Sequence, residues 1–259
     1  MKKLIVANWK MNPQTTEDAR RLFVTLEHRM HLINNAVDVT VCPPYVFMPL
    51  LSHFSHFLNL GSQNISAHEY GAYTGEISAE QLLLWKVSYV ILGHSERRLY
   101  FGETDKDVQT KILLCLKQHL IPVVCLGGHP KADIKSMKPL VTKQFNSAVK
   151  NLDKSQIEKI AWAYEPTWAI SSMQKSQPAT GEHAAELIIH IRKLLAKHVG
   201  REEAEKARVL YGGTVNKGNV RDFARFSEIS GALVGFASLE PTGFFEVIQE
   251  FAREAIHKT

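Results

Sequence analysis

Short apolar runs rich in β-branched residues, each cut off by a glycine, a proline or a charged residue, alternate along this chain with longer stretches whose apolar positions recur every three or four residues. A strand buried on both faces needs apolar side chains on each, whereas a helix lying on a sheet needs a single apolar stripe. The alternation therefore predicts repeated strand-then-helix units around a parallel sheet. Eight units are counted, with strands over Leu4–Lys10, Val37–Cys42, Leu58–Asn64, Tyr89–His94, Pro122–Leu126, Ile160–Glu165, Arg208–Gly212 and Gly231–Gly235. Helical periodicity fills Thr16–Met30, Asp105–His119, Met137–Leu152, Glu182–Val199 and Phe244–His257. Thr15 or Thr16, followed by Glu17 and Asp18, supplies an N-cap and the charge that suits a helix N-terminus. No Gly/Ser-rich linker divides the units, so one domain over residues 1–259 is expected. Eight strands closed on themselves leave no exposed edge, whereas an open sheet of eight leaves two. The expected fold is α/β, a (β/α)8 barrel.

Composition narrows the class. With 45% hydrophobic and 22% charged residues the chain reads as an ordinary soluble protein. No run approaches the roughly 18 apolar residues that span a bilayer, so no membrane role is expected. The opening Met1-Lys2-Lys3-Leu4-Ile5-Val6-Ala7 is cut by Asn8, Trp9 and Lys10 too soon for a secretory signal, and reads as a first strand. Cys42, Cys115 and Cys125 sit in apolar surroundings without metal-ligand spacing, so neither a disulfide framework nor a metal site is expected, and a cytoplasmic setting suits them. The net charge of +5 is spread over helical patterns rather than gathered in a stripe, which argues against nucleic acid. A mild positive field favours a small anionic substrate.

The strand ends carry the chemistry. Loops after the strands of a β/α barrel build the active site, so polar groups at strand C-terminal ends are candidates. Asn8 and Lys10 close the first strand two residues apart and are expected on one face, opposite Trp9. Alternation on the sixth strand groups Ala161, Ala163 and Glu165 on one face, with Trp162 and Tyr164 on the other. His94 stands where the fourth strand passes into a short helical turn, whose dipole favours the neutral imidazole. Taken singly, each has a bland reading: a strand fraying into solvent, a carboxylate capping the next segment, an ordinary satisfied histidine. A base, an imidazole and an ammonium at three strand ends read together as one site. Gly212-Gly213-Thr214 after the seventh strand and Gly235-Phe236 after the eighth add backbone N–H groups suited to a phosphate.

Several segments carry a family resemblance: Ala7-Asn8-Trp9-Lys10-Met11-Asn12, Gly93-His94-Ser95-Glu96-Arg97-Arg98, Tyr164-Glu165-Pro166-Thr167-Trp168-Ala169-Ile170 and Tyr211-Gly212-Gly213-Thr214-Val215. In order and position they resemble the signature segments of triosephosphate isomerases, as do Gly71–Ser78 and Gly231–Gly235. The resemblance implies a cofactor-free aldose-ketose isomerase of glycolysis and gluconeogenesis that interconverts dihydroxyacetone phosphate and glyceraldehyde 3-phosphate. It implies Glu165 as base, neutral His94 as electrophile and Lys10 as the cation stabilising substrate charge; this pairing is the family's own assignment, carried over with the motifs. It also implies Asn8, Gly212, Gly213, Thr214, Gly235 and Phe236 around the substrate, Glu96 in support, and Ile170 with Leu233 as an apolar pair over the base. In the family the Gly71–Ser78 loop enters a neighbouring subunit, so a homodimer is implied.

The chain departs from the family pattern in places. After Trp168-Ala169-Ile170 a glycine-rich lid is replaced by Ser171-Ser172-Met173-Gln174-Lys175-Ser176-Gln177-Pro178, about three residues longer. Phe236 stands at the second glycine of the last phosphate turn, and Gly128 where an acidic residue commonly follows Cys-x-Gly. These changes leave two other readings open: an isomerase of a related sugar phosphate such as a tetrulose phosphate, or a weakly active barrel that binds phosphorylated ligands.

Overall fold

A computed structural model describes residues 2–33, 36–128, 134–166 and 179–256. Its strands are β1 (Lys3–Asn8), β2 (Val37–Cys42), β3 (Asn59–Ser62), β4 (Val87–Leu92), β5 (Ile121–Gly127), β6 (Ala161–Glu165), β7 (Val209–Tyr211) and β8 (Gly231–Val234). They pair in parallel in sequence order, and β8 returns to β1 through the register Leu4↔Gly231 to Ala7↔Val234, closing the barrel. Around it lie α1 (Thr16–Glu27), α2 (Met48–Leu51), α3 (Ala79–Leu83), α4 (Ser95–Tyr100), α5 (Asp105–Lys117), α6 (Ile134–Ala148), α7 (Lys154–Ile157), α8 (Gly181–Val199), α9 (Arg201–Lys206), α10 (Val220–Ala224) and α11 (Pro241–Ile256). Thr15 caps α1, its hydroxyl accepting from the Asp18 N–H, which decides between the two candidate caps.

Period-two alternation sorts the strand residues into two cores. Leu4, Val6, Tyr89, Ile91, Val123, Cys125, Ala161, Ala163 and Leu210 fill the barrel interior. Their neighbours Ile5, Ala7, Val90, Trp162 and Tyr164 face outward under Phe23, Ile112, Phe145, Ile188 and Phe251 of the helices. The opposition of Ala161, Ala163 and Glu165 to Trp162 and Tyr164 is therefore as the alternation requires. Polar groups close the lower, N-terminal end of the barrel. Arg208 Nη1 donates to Tyr89 Oη at 2.8 Å and Nη2 pairs with Asp38 Oδ2 at 2.6 Å, while Lys2 Nζ lies 3.4 Å from Asp38 Oδ1.

Several element ends differ from the sequence reading: β5 runs one residue further at each end than Pro122–Leu126, while other strands stop short. β1 stops at Asn8 and β4 at Leu92, so Lys10 and His94 lie beyond their strands rather than at their last positions. Lys10 adopts φ 54°, and its carbonyl is held by Gln63 Nε2 at 2.8 Å, the same amide that donates to Cys42 O at 3.0 Å. Apolar patterning marks where a strand is buried, not where its ladder stops.

Candidate active site

Two consecutive N–H groups at the start of α4 organise the site. The Ser95 N–H donates to Glu165 Oε2 at 2.9 Å, and the Glu96 N–H donates to Nδ1 of His94 at 3.2 Å. His94 is the N-cap of this helix, where a side-chain acceptor serves N–H groups that have no intrahelical partner. An Nδ1 that accepts leaves the proton of a neutral imidazole on Nε2, a tautomer assigned from the hydrogen-bond network. Nε2 faces Glu165 Oε1 at 3.2 Å, outside hydrogen-bond alignment. The Glu165 side chain is only 2% exposed, and among the described residues its Oε1 and the Ser95 hydroxyl are buried without a hydrogen-bond partner. A buried carboxylate with one oxygen held and one unpaired is unusual, because leaving such an atom unsatisfied costs roughly 1–3 kcal/mol.

The backbone around Glu165 leaves no slack. A methyl group at Gly127, which has φ 121°, would lie 2.3 Å from the Glu165 carbonyl oxygen, so only glycine allows β5 this close approach. Both backbone groups of Gly127 are held by the Gln144 amide, at 2.7 and 2.8 Å. At Gly212 a methyl would lie 2.9 Å from Glu165 Cγ. The Gly212 N–H donates to Tyr164 O at 2.8 Å, so this residue gives the base room and offers no donor to a ligand.

Lys10 and Asn8 complete the polar wall. Lys10 Nζ pairs with Glu96 Oε1 at 2.5 Å, and Asn8 Oδ1 accepts the Lys10 N–H at 3.1 Å. Asn8, Lys10, His94, Glu165, Gly212, Gly213, Thr214, Leu233, Gly235 and Phe236 all line one cavity of about 270 Å³. Leu233 sits on β8 against the barrel interior, beneath this space. Phe236 opens a 3₁₀ turn, Phe236–Leu239, and its ring is 76% exposed at the rim. Its φ is not in the left-handed region, so the backbone here does not demand glycine. Ile170 and the Ser171–Pro178 segment lie outside the described residues.

A family model described as triosephosphate isomerase matches residues 3–251. The chain belongs to the triosephosphate isomerase family. It is 37% identical to the triosephosphate isomerase of Dictyoglomus turgidum over 253 residues, covering 96% of this chain and 99% of that one. The similarity to the triosephosphate isomerase of Clostridium botulinum, strain Loch Maree, is 40% over 249 residues, 95% and 98% of the two chains. The resemblance carried by the strand-end motifs is thus a whole-chain relationship, and the barrel expected from alternation is the one found.

The singled-out residues that are described line one cavity, with Glu96 reaching it through Lys10, but several of their partners were not foreseen. The Ser95 and Glu96 N–H groups leave no mark on the side-chain pattern, whereas the Glu96 carboxylate, expected in support, pairs with Lys10. Gln63, Gln144 and Asn219 work from other loops and helices, and isolated amides give no periodic signal.

Proposed function

We propose that this member of the triosephosphate isomerase family interconverts dihydroxyacetone phosphate and glyceraldehyde 3-phosphate by proton transfer through an enediolate. The observation that carries the reading is the pairing of a buried carboxylate oxygen left unpaired, Glu165 Oε1, with a neutral imidazole whose Nε2–H faces the same cavity. Glu165 takes the proton from the carbon beside the carbonyl; the C–H electron pair forms the C=C bond, and the carbonyl π pair moves onto oxygen. The Nε2–H of His94 donates to that oxygen as charge develops, which is where a placed donor accelerates the reaction. The imidazole passes that proton to the oxygen and takes the one on the adjacent hydroxyl, so the negative charge moves to the other oxygen. Glu165 then returns its proton to the neighbouring carbon as the C=C pair closes on it and the oxyanion pair forms the new carbonyl. Burial keeps bulk water away from the carboxylate and from the carbanion-like carbon it deprotonates. Lys10 supplies positive charge near the oxyanion, with Glu96 fixing the ammonium, and Asn8 holds the Lys10 turn. Backbone groups of Gly213, Thr214, Gly235 and Phe236 hold the phosphate, and Leu233 supplies an apolar part of the cavity lining. Coupled assays started from each triose phosphate test the reading, and a folded protein inert in both directions sinks it.

The same reading extends to assembly. Met11, Val46, Tyr70, Leu84 and Phe101, each at least 70% exposed, lie on the segments that follow β1 to β4. Large apolar side chains so placed suit a protein interface. A cleft of about 400 Å³ beside the Gly71–Ser78 loop, lined by His68, Tyr70, Tyr73 and Leu84, lies on the same side. We infer a cytoplasmic homodimer built through this loop, each chain one barrel domain. Sedimentation showing a fully active monomer at assay concentrations contradicts it. No helix among the described residues is long and apolar enough to cross a membrane.

A further inference from the structure

Asn219 stands immediately before α10, at a position where an asparagine side chain ordinarily accepts from the first N–H groups of the helix. It makes no such bond. Its carboxamide is turned back toward the barrel mouth. Nδ2 donates to the carbonyl of Thr214 at 2.9 Å, and Oδ1 accepts the N–H of Asn216 at 2.8 Å. Asn216 continues the brace: its Oδ1 accepts the Gly218 N–H at 2.8 Å, and its carbonyl receives the N–H groups of Asn219 and Val220 at 3.2 and 2.9 Å.

What this brace holds is the wall of the cavity. Gly213, Thr214, Val215 and Asn216 line it in succession, together with Gly235 and Phe236. A peptide unit is planar, so a donor fixed on the Thr214 carbonyl also fixes the direction of the Val215 N–H, and the bond to the Asn216 N–H pins the next unit. The helix gives up its side-chain cap, and the turn gains two fixed points. A loop ordered in advance does not lose that freedom again when ligand arrives, which raises affinity without adding a contact.

We propose that Asn219 is a positioning residue for the phosphate end of the site: it holds the Gly213–Asn216 turn in the shape that receives a phosphate monoester dianion, without touching the ligand. The proposal rests on the isomerase reading for its substrate and sharpens it by separating phosphate grip from proton transfer.

The test uses the full chain with Asn219→Ala and Asn219→Asp. Three quantities are measured: calorimetric binding of inorganic phosphate, KM and kcat on triose phosphate, and turnover of unphosphorylated glyceraldehyde. Asn219→Ala removes two neutral hydrogen bonds, so phosphate binding should weaken about tenfold, with a matching rise in KM. Glyceraldehyde carries no phosphate for the turn to hold, so its turnover should stay within about twofold. Asn219→Asp has nearly the same shape and keeps the acceptor for the Asn216 N–H, but replaces the donor to Thr214 with a carboxylate. It should bind phosphate at least as weakly, and it carries the test if the alanine variant does not fold. Equal losses on glyceraldehyde and on phosphate overturn the proposal, since Asn219 would then support the whole mouth. Unchanged phosphate affinity in a folded variant overturns it as well. A wild-type chain that binds phosphate but isomerises neither substrate defeats the isomerase reading alone, and phosphate affinity in the variants still decides the role of Asn219.

Discussion

The two ends of this barrel treat polar groups in opposite ways. At the lower end Arg208, Asp38, Tyr89 and Lys2 satisfy one another, and burial holds the Tyr89 hydroxyl above its ordinary pKa with Arg208 partly opposing. At the mouth Glu165 Oε1 and the Ser95 hydroxyl are buried without hydrogen-bond partners among the described residues. The lower cluster contributes to stability, since its groups already have their partners. The mouth carries a cost of roughly 1–3 kcal/mol for each unsatisfied buried group, which the rest of the fold sustains and which a substrate can relieve. One sheet therefore supports both a mutually satisfied polar cluster and a reactive pocket with unpaired groups, and substitutions at the two ends should separate activity from stability.

The largest effect is expected at Glu165. Replacement by Gln keeps the shape but removes the base, so turnover should fall by about 10³-fold or more, within or beyond the usual range for general-base catalysis. The melting temperature should hold or rise, because a buried charge has been removed. A coupled assay and a thermal melt on the same sample check both halves; a variant keeping a tenth of wild-type turnover removes Glu165 from the role.

Next comes Gly212→Ala. Its methyl would sit 2.9 Å from Glu165 Cγ and must push the carboxylate aside. Misplacement by a fraction of an ångström to an ångström costs up to about 10²-fold, so kcat should fall between roughly tenfold and that limit with the barrel intact. Unchanged kcat would show that the base has room the structure does not suggest.

At the other end Arg208→Met should do the reverse. Asp38 and the Tyr89 hydroxyl lose a donor, for a destabilisation of about 1–3 kcal/mol. For a chain of this size that lowers the midpoint by roughly 2–4 °C per kcal/mol. kcat/KM should stay within about twofold, and a larger loss would mean that the two ends are coupled.

The smallest expected effect concerns pH. His183 Nε2 lies 2.9 Å from the hydroxyl of Tyr164, the residue before Glu165, and burial lowers the imidazole pKa, with Glu186 partly opposing. The folded state thus prefers the neutral ring. Its contribution is full above the unfolded value of roughly 6.5 and is lost as pH falls through that value toward the lower folded one. The residue is partly exposed, so the drop between pH 7.5 and 5.5 should be only about 1–2 °C. His183→Gln should flatten that part of the slope. A slope that is unchanged in the variant assigns the acid sensitivity to other groups, His190 first, since burial lowers it too.

Much of this arrangement was legible in the sequence. The β2 boundaries Val37 and Cys42 coincide with the expected ones, because alternation and burial end there together. Lys10, His94, Gly212 and Gly235 were expected at strand ends but lie one or two residues past the ladder. The same apolar run continues whether the next N–H bonds to a neighbouring strand or turns to cap a helix, so nothing in the pattern marks the change. The reactive side chains were visible because their chemistry is rare at such positions. The groups that hold them, the Ser95 and Glu96 N–H and the Gln63 and Gln144 amides, were not, since a backbone donor has no residue type and a single amide has no period.

All three cysteines are buried and free, and burial raises each thiol pKa, most clearly for Cys125 beside Glu165. Thiolate, the reactive form, is therefore scarce in the folded chain at neutral pH. Alkylating reagents and mild oxidants should reach these sulfurs only when the barrel opens. The rate of thiol labelling then serves as a built-in clock for opening, and because Cys42 and Cys125 lie on strands while Cys115 lies on a helix, their order of labelling reports which layer parts first.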